Sequence, residues 1–307
     1  MKKSVLVTGG SSMIGRQVIS KLYHKYETVY YPPRKWLDLR DYLHVREYFN
    51  IYRPQEVVML AGVNGSLSWN KKFPFDISCE SSIISLNTLK ACVDFGVNKV
   101  VFSIPSCALK PSDDMSFESD LFEGEPHDSV ACHGLSKRYV YNCGMFARRE
   151  YGLNFVAVIG QNSFGPGDRF DERGKVVSGM IDRMYKALLN NDPTFTVYGD
   201  GTVLREFLYC KDFAEGIIQV LENYNESFPI NLTSGYEINI GDLARKIKNI
   251  IGYKGGLVFT GSQDNGQMRK RLSKERMDKY LDVKITDFDI ALKETIDWFI
   301  GQRNAFN

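Results

Sequence analysis

The six cysteines of this 307-residue chain (Cys79, Cys92, Cys107, Cys132, Cys143 and Cys210) include no CxxC pair. Their spacing therefore writes neither a zinc site nor a disulfide framework, and reduced thiols without a bound metal are the expectation. Long apolar runs are missing as well. The opening MKKSVLVTGG reaches glycine after a few residues, short of a secretory core or a membrane span, which leaves a cytoplasmic protein with no membrane partner as the expectation. Nor does one sign of charge dominate: 39 Lys and Arg stand against 37 Asp and Glu, and the basic residues are scattered, which argues against a nucleic-acid surface. Small molecules are the implied partners. There is no internal repeat and no low-complexity linker. Histidine is scarce at four residues, of which His24, His44 and His127 read as structural.

What is present is a balanced globular composition, 43% hydrophobic and 25% charged, with enough chain for a substantial core. The first half alternates short β-branched runs with longer helical patterns: SVLVTG, MIGRQVISKLYHKY, TVYY, LHVREYFNIY, EVVMLAG, SIISLNTLKACVDFG, KVVFSI. Such βαβ repetition predicts an α/β fold, a Rossmann-type doubly wound parallel sheet with helices on both faces. The pattern changes at Gly165, Pro166 and Gly167, beyond which a smaller mixed α/β C-terminal lobe is expected to bind substrate. Residues 1–165 plus about 205–230 are assigned to the dinucleotide domain, and residues 166–204 and 231–307 to the lobe.

VLVTGGSSMIG puts Gly9 directly after a strand and Gly15 at the opening of a helix, with Ser11, Ser12, Met13 and Ile14 between them. In that setting backbone amides and a helix N-terminus hold a pyrophosphate. Ser12 stands where the usual pattern has its middle glycine, and its hydroxyl can still donate to phosphate. The second strand ends in VYYPPRK without the carboxylate that an NAD ribose calls for. Arg34 and Lys35 suit the 2′-phosphate of NADP(H) instead, the other reading being a solvated basic loop. Asp38 and Leu39 fall where an adenine edge can be held, and Leu60, Ala61 and Gly62 end a strand on the cofactor's side.

VTGGSSMIG, VNKVVFSIPSC, NSFGPGDRF, YGDGTVLREFLYCKDFA, IGYKGGLVF and GQMRKRL, in that order, resemble the extended short-chain dehydrogenase/reductase family across nearly the whole chain. Within it the likeness is to members that epimerise and reduce a GDP-linked 4-keto-6-deoxyhexose with NADPH. The resemblance implies that Arg205 binds the nucleotide diphosphate, that Asn162 contacts sugar or diphosphate, and that Arg183, Arg269 and Lys270 hold the GDP end. Arginine forks pair bidentately with such groups. It also implies a homodimer formed through two long helices, around residues 86–95 and 137–150.

The catalytic positions depart from that pattern. The family's serine, tyrosine and lysine fall on Pro105, His133 and Lys137, and only the lysine is kept. Proline donates no hydrogen bond. Ser106 is the next hydroxyl along the chain, and His133 is the candidate proton donor. An unperturbed imidazole is roughly a quarter protonated at pH 7. Lys137 nearby and burial would lower that fraction, and an anion nearby would raise it. The resemblance further implies a cysteine and a histidine that move protons at C3 and C5: Cys107 matches the first, and an ungapped count puts Val176 on the second. The expectation is therefore NADPH-dependent reduction at C4 of a GDP-linked 4-keto deoxyhexose or heptose for bacterial surface polysaccharide, without efficient epimerisation. The alternatives are a bifunctional epimerase/reductase or an epimerase, and a non-catalytic nucleotide-binding protein.

Overall fold

The computed structural model describes residues 3–265 and 267–305. Thirteen strands and ten α-helices follow one another among these residues. The first half runs β1 (Ser4–Thr8), α1 (Met13–Leu22), β2 (Thr28–Tyr30), α2 (Tyr42–Tyr52), β3 (Glu56–Met59), α3 (Leu67–Lys72), α4 (Pro74–Asp94), β4 (Lys99–Pro105), β5 (Met115–Ser116), α5 (Ala131–Tyr151) and β6 (Asn154–Gly160). The second half runs β7 (Asn162–Phe164), α6 (Val176–Leu189), β8 (Thr194–Val197), β9 (Leu204–Tyr209), α7 (Cys210–Asn223), β10 (Ile230–Leu232), β11 (Glu237–Asn239), α8 (Ile240–Ile251), β12 (Gly256–Phe259), β13 (Arg271–Leu272), α9 (Glu275–Tyr280) and α10 (Phe288–Ala305).

The main sheet is six-stranded in the order β10-β6-β4-β3-β1-β2, with every pairing parallel. A parallel sheet covered on both faces needs strands apolar on both sides, and alternate residues of β4 meet that need. Val100, Phe102 and Ile104 join the cluster under α4 and α5, while Val101 joins the opposite cluster, where Val5 and Val7 meet Val18 of α1 and Ile217 of α7. A third cluster fills the lobe: Ile181 and Met184 of α6 pack with Leu243 and Ile247 of α8 and Leu292 and Phe299 of α10. Because β10 pairs with β6, the main sheet takes in Asn231 and Leu232, two residues beyond the boundary drawn from the sequence.

Of three smaller sheets, one pairs β8 with β12 inside the lobe and the other two tie the lobe to the domain. β9 lies between β7, which it meets in parallel, and β11, which it meets antiparallel. β13 pairs with β5 in the segment after β4, which sets Arg271 opposite Met115 and Leu272 opposite Ser116.

Candidate active site

Two parts of the chain converge on Ala61. From one side comes the β1–α1 turn: Gly9 has φ +71, and a Cβ there would stand 2.9 Å from the Ala61 nitrogen. From the other comes Lys137 on α5, whose Nζ donates to the Ala61 carbonyl oxygen at 3.4 Å and to Ser85 Oγ at 3.5 Å. The ammonium also lies 4.8 Å from the centre of the Phe102 ring and about 3.4 Å from where a Gly62 Cβ would be. Lys137 is buried, and desolvation lowers its pKa to about 8.

The turn is built for an anion. Ser12 caps α1 by accepting the Gly15 N–H at 3.0 Å, which leaves its hydroxyl hydrogen free, and the first turn of α1 holds no acidic residue. At Gly15 a Cβ would overlap the Gly9 carbonyl oxygen. Met13 packs into the lobe core, Ile14 borders two of the clusters, and Ser11 is exposed with its carbonyl accepting Arg16 Nε at 2.9 Å. Beyond β2, Arg34 is solvent-exposed 3.6 Å from Asp38, and Lys35 lies over the Trp36 ring. Asp38 is gripped at 2.5–2.9 Å by the Arg40 fork, which holds its carboxyl well below the usual range. The carboxylate is thus committed to arginine, and the Leu39 carbonyl to Asn87 Nδ2 at 2.9 Å. Leu60 follows β3, its amide bonded to the Thr8 carbonyl.

His133 lies one turn before Lys137 on α5 and is 5% exposed, with no hydrogen-bond partner for its enclosed Nδ1 among the described residues. Burial is the main cause, and the charges of Lys137 and Lys175 add to it, in lowering its pKa to about 3. The ring is therefore neutral at pH 7, and the fraction protonated expected of a free imidazole is lost to desolvation. Unfolding frees the ring to take a proton near its ordinary value of 6.5, so between that value and about 3 the unfolded chain binds more protons than the folded one. Stability should then rise with pH across this window, the group costing about 2 kcal/mol at pH 5. The pH dependence of the unfolding free energy, compared between wild type and His133→Phe, measures it. Parallel curves would show that the imidazole is not held neutral.

Ser106 is 3% exposed, and its hydroxyl donates to Gln161 Oε1 at 2.8 Å. Gln161 passes the bond on to Glu206 Oε2 at 3.2 Å. Glu206 also accepts the amides of Gly235 at 2.6 Å and Leu272 at 3.2 Å. This buried chain ties β9 to β13 and to the end of β6. It also engages the Ser106 proton, which is a strut in the fold and not a free donor. Pro105 completes β4 opposite Gly160. Cys107 follows in a short helical turn, where burial pushes its thiol pKa up against the lowering fields of Lys270 and Lys175.

The cations expected at the nucleotide end are not equivalent. Arg205, on β9, gives one N–H to the Leu204 carbonyl at 2.7 Å and feels Asp113. Lys270 is largely desolvated beside Arg205, Lys175 and Cys107. Asn162 opens β7, its amide bonded to Gln161 Oε1. Arg183 is stacked between Phe195 (4.9 Å) and Tyr198 (5.0 Å) and donates to the Thr196 carbonyl at 3.1 Å. Arg269 turns its fork onto Glu237 at 2.5–3.1 Å, so an ion pair already fills the bidentate geometry assigned to a diphosphate. Val176 begins α6 exposed to solvent, while the field of its neighbour Lys175 reaches His133, Cys107, Asp168 and Lys270. A count without gaps through the loop after Gly167 thus lands on an exposed apolar residue at the start of α6.

Among the described residues no group of His, Cys, Asp and Glu is placed to hold a metal, and no helix is long and apolar enough to cross a membrane.

A glycine turn entering a capped helix, with a buried lysine meeting it across one peptide, defines a dinucleotide-using enzyme of the Rossmann type. The chain belongs to the NAD dependent epimerase/dehydratase family, whose profile matches residues 5–241. Over its full length it is similar to GDP-L-fucose synthase of Dictyostelium discoideum, 32% identical with 97% of this chain and 96% of the relative covered. It is also similar to GDP-L-fucose synthase of Escherichia coli, 28% identical with 99% of each covered. The crystal structure of a GDP-L-fucose synthetase from Naegleria fowleri bound to NADP superposes with a TM-score of 0.88 at 31% identity, covering 98% of this chain and 94% of that one. A GDP-6-OMe-4-keto-L-xylo-heptose reductase from C. jejuni shares the fold, with a TM-score of 0.90 at 19% identity over 98% of each chain.

Proposed function

We propose that this protein is an NADPH-dependent oxidoreductase that reduces the C4 ketone of a GDP-linked 4-keto sugar, a deoxyhexose or heptose destined for surface polysaccharide. The observation that carries this reading is the meeting of Gly9 and Lys137 on Ala61, with the charge of Lys270 acting on Cys107 and that of Arg205 on Lys270. Among the described residues no carboxylate offsets the repulsion of Lys270 by Arg205 and Lys175, which a diphosphate would relieve. The glycine cradle and the acid-free first turn of α1 fit a dinucleotide pyrophosphate, and Arg34 and Lys35 are exposed where a 2′-phosphate would lie. When bound, NADPH supplies the hydride. Lys137 would hold the nicotinamide ribose, the neutral His133 ring would donate a hydrogen bond to the ketone oxygen, and Arg205 with Lys270 would hold the diphosphate.

Epimerisation needs a base to take a proton beside the ketone. Burial of the Cys107 thiol disfavours the thiolate, which supports reduction without efficient epimerisation. The bifunctional reading is favoured by Lys175 beside Cys107 and by the names of the relatives. Incubation with GDP-4-keto-6-deoxymannose or its heptose counterpart in D2O separates the two. Oxidation of NADPH at 340 nm without deuterium at C3 or C5 is expected, and rapid wash-in at those carbons would establish the bifunctional enzyme. No oxidation with any GDP-4-keto sugar would sink the reading. Exposed Phe75, Ile83, Tyr139 and Phe146 on α4 and α5 support pairing of two copies through these helices.

A further inference from the structure

The buried chain from Ser106 through Gln161 to Glu206 is oriented along its whole length. A backbone N–H can only donate, so the Asn162 amide, which meets Gln161 at 3.2 Å, identifies the atom it meets as the side-chain oxygen. The same oxygen takes the Ser106 hydroxyl, and the Gln161 NH2 is thereby turned onto Glu206. Glu206 is 1% exposed, and the N–H groups of Gly235, Gln161 and Leu272 that reach it can only donate. Both of its oxygens therefore accept, with Ser234 Oγ 3.5 Å from one of them. A glutamine would set an NH2 against one of these donors, so the surroundings specify a carboxylate.

Each segment anchored in this way carries a residue of the implied substrate site one or two positions away. Arg205 precedes Glu206 on β9, Asn162 follows Gln161, Cys107 follows Ser106, and Lys270 lies two residues before Leu272. Arg205 and Lys270 are bracketed together. The Leu204 N–H donates to the Met268 carbonyl at 2.9 Å and the Leu272 N–H to Glu206 at 3.2 Å, so residues 268–272 run along residues 204–206. Neighbouring side chains of a strand point to opposite faces, so Glu206 grips these segments from the face of β9 opposite to Arg205. The cofactor side is fastened separately, through Lys137 on Ala61 and Ser85.

We propose that Glu206 is a positioning residue for the nucleotide-sugar half of the site, its carboxylate setting Arg205, Lys270, Asn162 and Cys107 in place against one another. This rests on the GDP-sugar reading above. Glu206 touches no reacting atom, and its effect reaches the ligand through the residues it holds in register.

Calorimetric titration with GDP, and separately with NADPH, compares wild type, Glu206→Asp, Glu206→Gln and the exchanged pair Glu206→Gln/Gln161→Glu. GDP affinity should fall about tenfold in Glu206→Asp, which draws the carboxylate back by a methylene, and about 30-fold in Glu206→Gln. NADPH affinity should stay within about twofold of wild type in both. The exchanged pair again sets an acid facing an amide between positions 161 and 206 but leaves the Leu272 N–H opposed, so it should recover about threefold of the lost GDP affinity. GDP affinity within about twofold of wild type in Glu206→Gln would overturn the assignment. Joint loss of GDP and NADPH would overturn it too, since the residue would then serve the fold alone, and so would an exchanged pair no better than Glu206→Gln. A wild type that binds NADPH and no GDP fails differently, because it removes the GDP-sugar reading itself.

Discussion

Lys137→Met is expected to lower kcat by about 10³-fold while leaving the protein folded and more stable than wild type. The two effects have one cause. The ammonium is buried against Ala61, Ser85 and the Phe102 ring, so the fold bears the cost of desolvating a charge that the chemistry uses. Its pKa is lowered from an ordinary 10.5 to about 8. Between those values the unfolded chain holds more protons than the folded one, so wild-type stability should rise with pH across the window. Below pH 8 the penalty is full, about 3 kcal/mol, and methionine of similar volume removes it. Thermal melting of both proteins at pH 7 and pH 10 measures the stability part: the variant's advantage should be large at the first and small at the second. Steady-state assay at 340 nm measures the other part, and a variant with kcat within threefold of wild type would refute the role of Lys137.

Gly15→Ala should abolish cofactor binding, weakening NADPH by at least about 100-fold, equivalent to about 2.7 kcal/mol. The added methyl overlaps the Gly9 carbonyl oxygen and comes within 3.0 Å of Gly10 backbone atoms, and backbone on both sides leaves nothing flexible to give way. Relief requires the Gly9–Ser12 turn to open, which pulls apart the amides that would face a pyrophosphate and the Ser12 cap on α1. Gly301→Ala is the control, since a Cβ there meets nothing within 4 Å and the position is exposed near the end of α10. It should bind NADPH normally. Fluorescence titration of NADPH reads both proteins, and unchanged affinity in Gly15→Ala would mean that the dinucleotide does not use this turn.

The elements of the sheet were legible because each is a local pattern. SVLVT followed by glycines and a helical repeat became β1 and α1, and VVSGMIDRMYKALL became α6 from its first residue to its last. Hydrophobic periodicity and turn chemistry act over a few residues, so a linear reading catches them. The lobe was caught more coarsely. β5 and β13 are two residues each and exist only as each other's partners, and β10 lies where the sequence drew a boundary.

Within the site, the sequence by itself determined which residues are present: the Gly9 and Gly15 pair, the lysine one turn after His133, the missing carboxylate after β2, and Pro105 in place of a hydroxyl. The tertiary structure alone decided what state they are in. Arg269 meets Glu237 across 32 positions, and Ser106 meets Gln161 across 55, so neither side chain is free for the role its residue type suggests. Val176, matched by an ungapped count, is exposed at the start of α6, where the length of the preceding loop, which no periodicity fixes, sets the register. His133 lost its proton because charge depends on burial and on neighbours drawn from distant segments, here Lys137 on its own helix and Lys175 from the lobe. Residue identity is a property of the chain, whereas protonation and hydrogen-bond commitment belong to the surroundings that folding assembles.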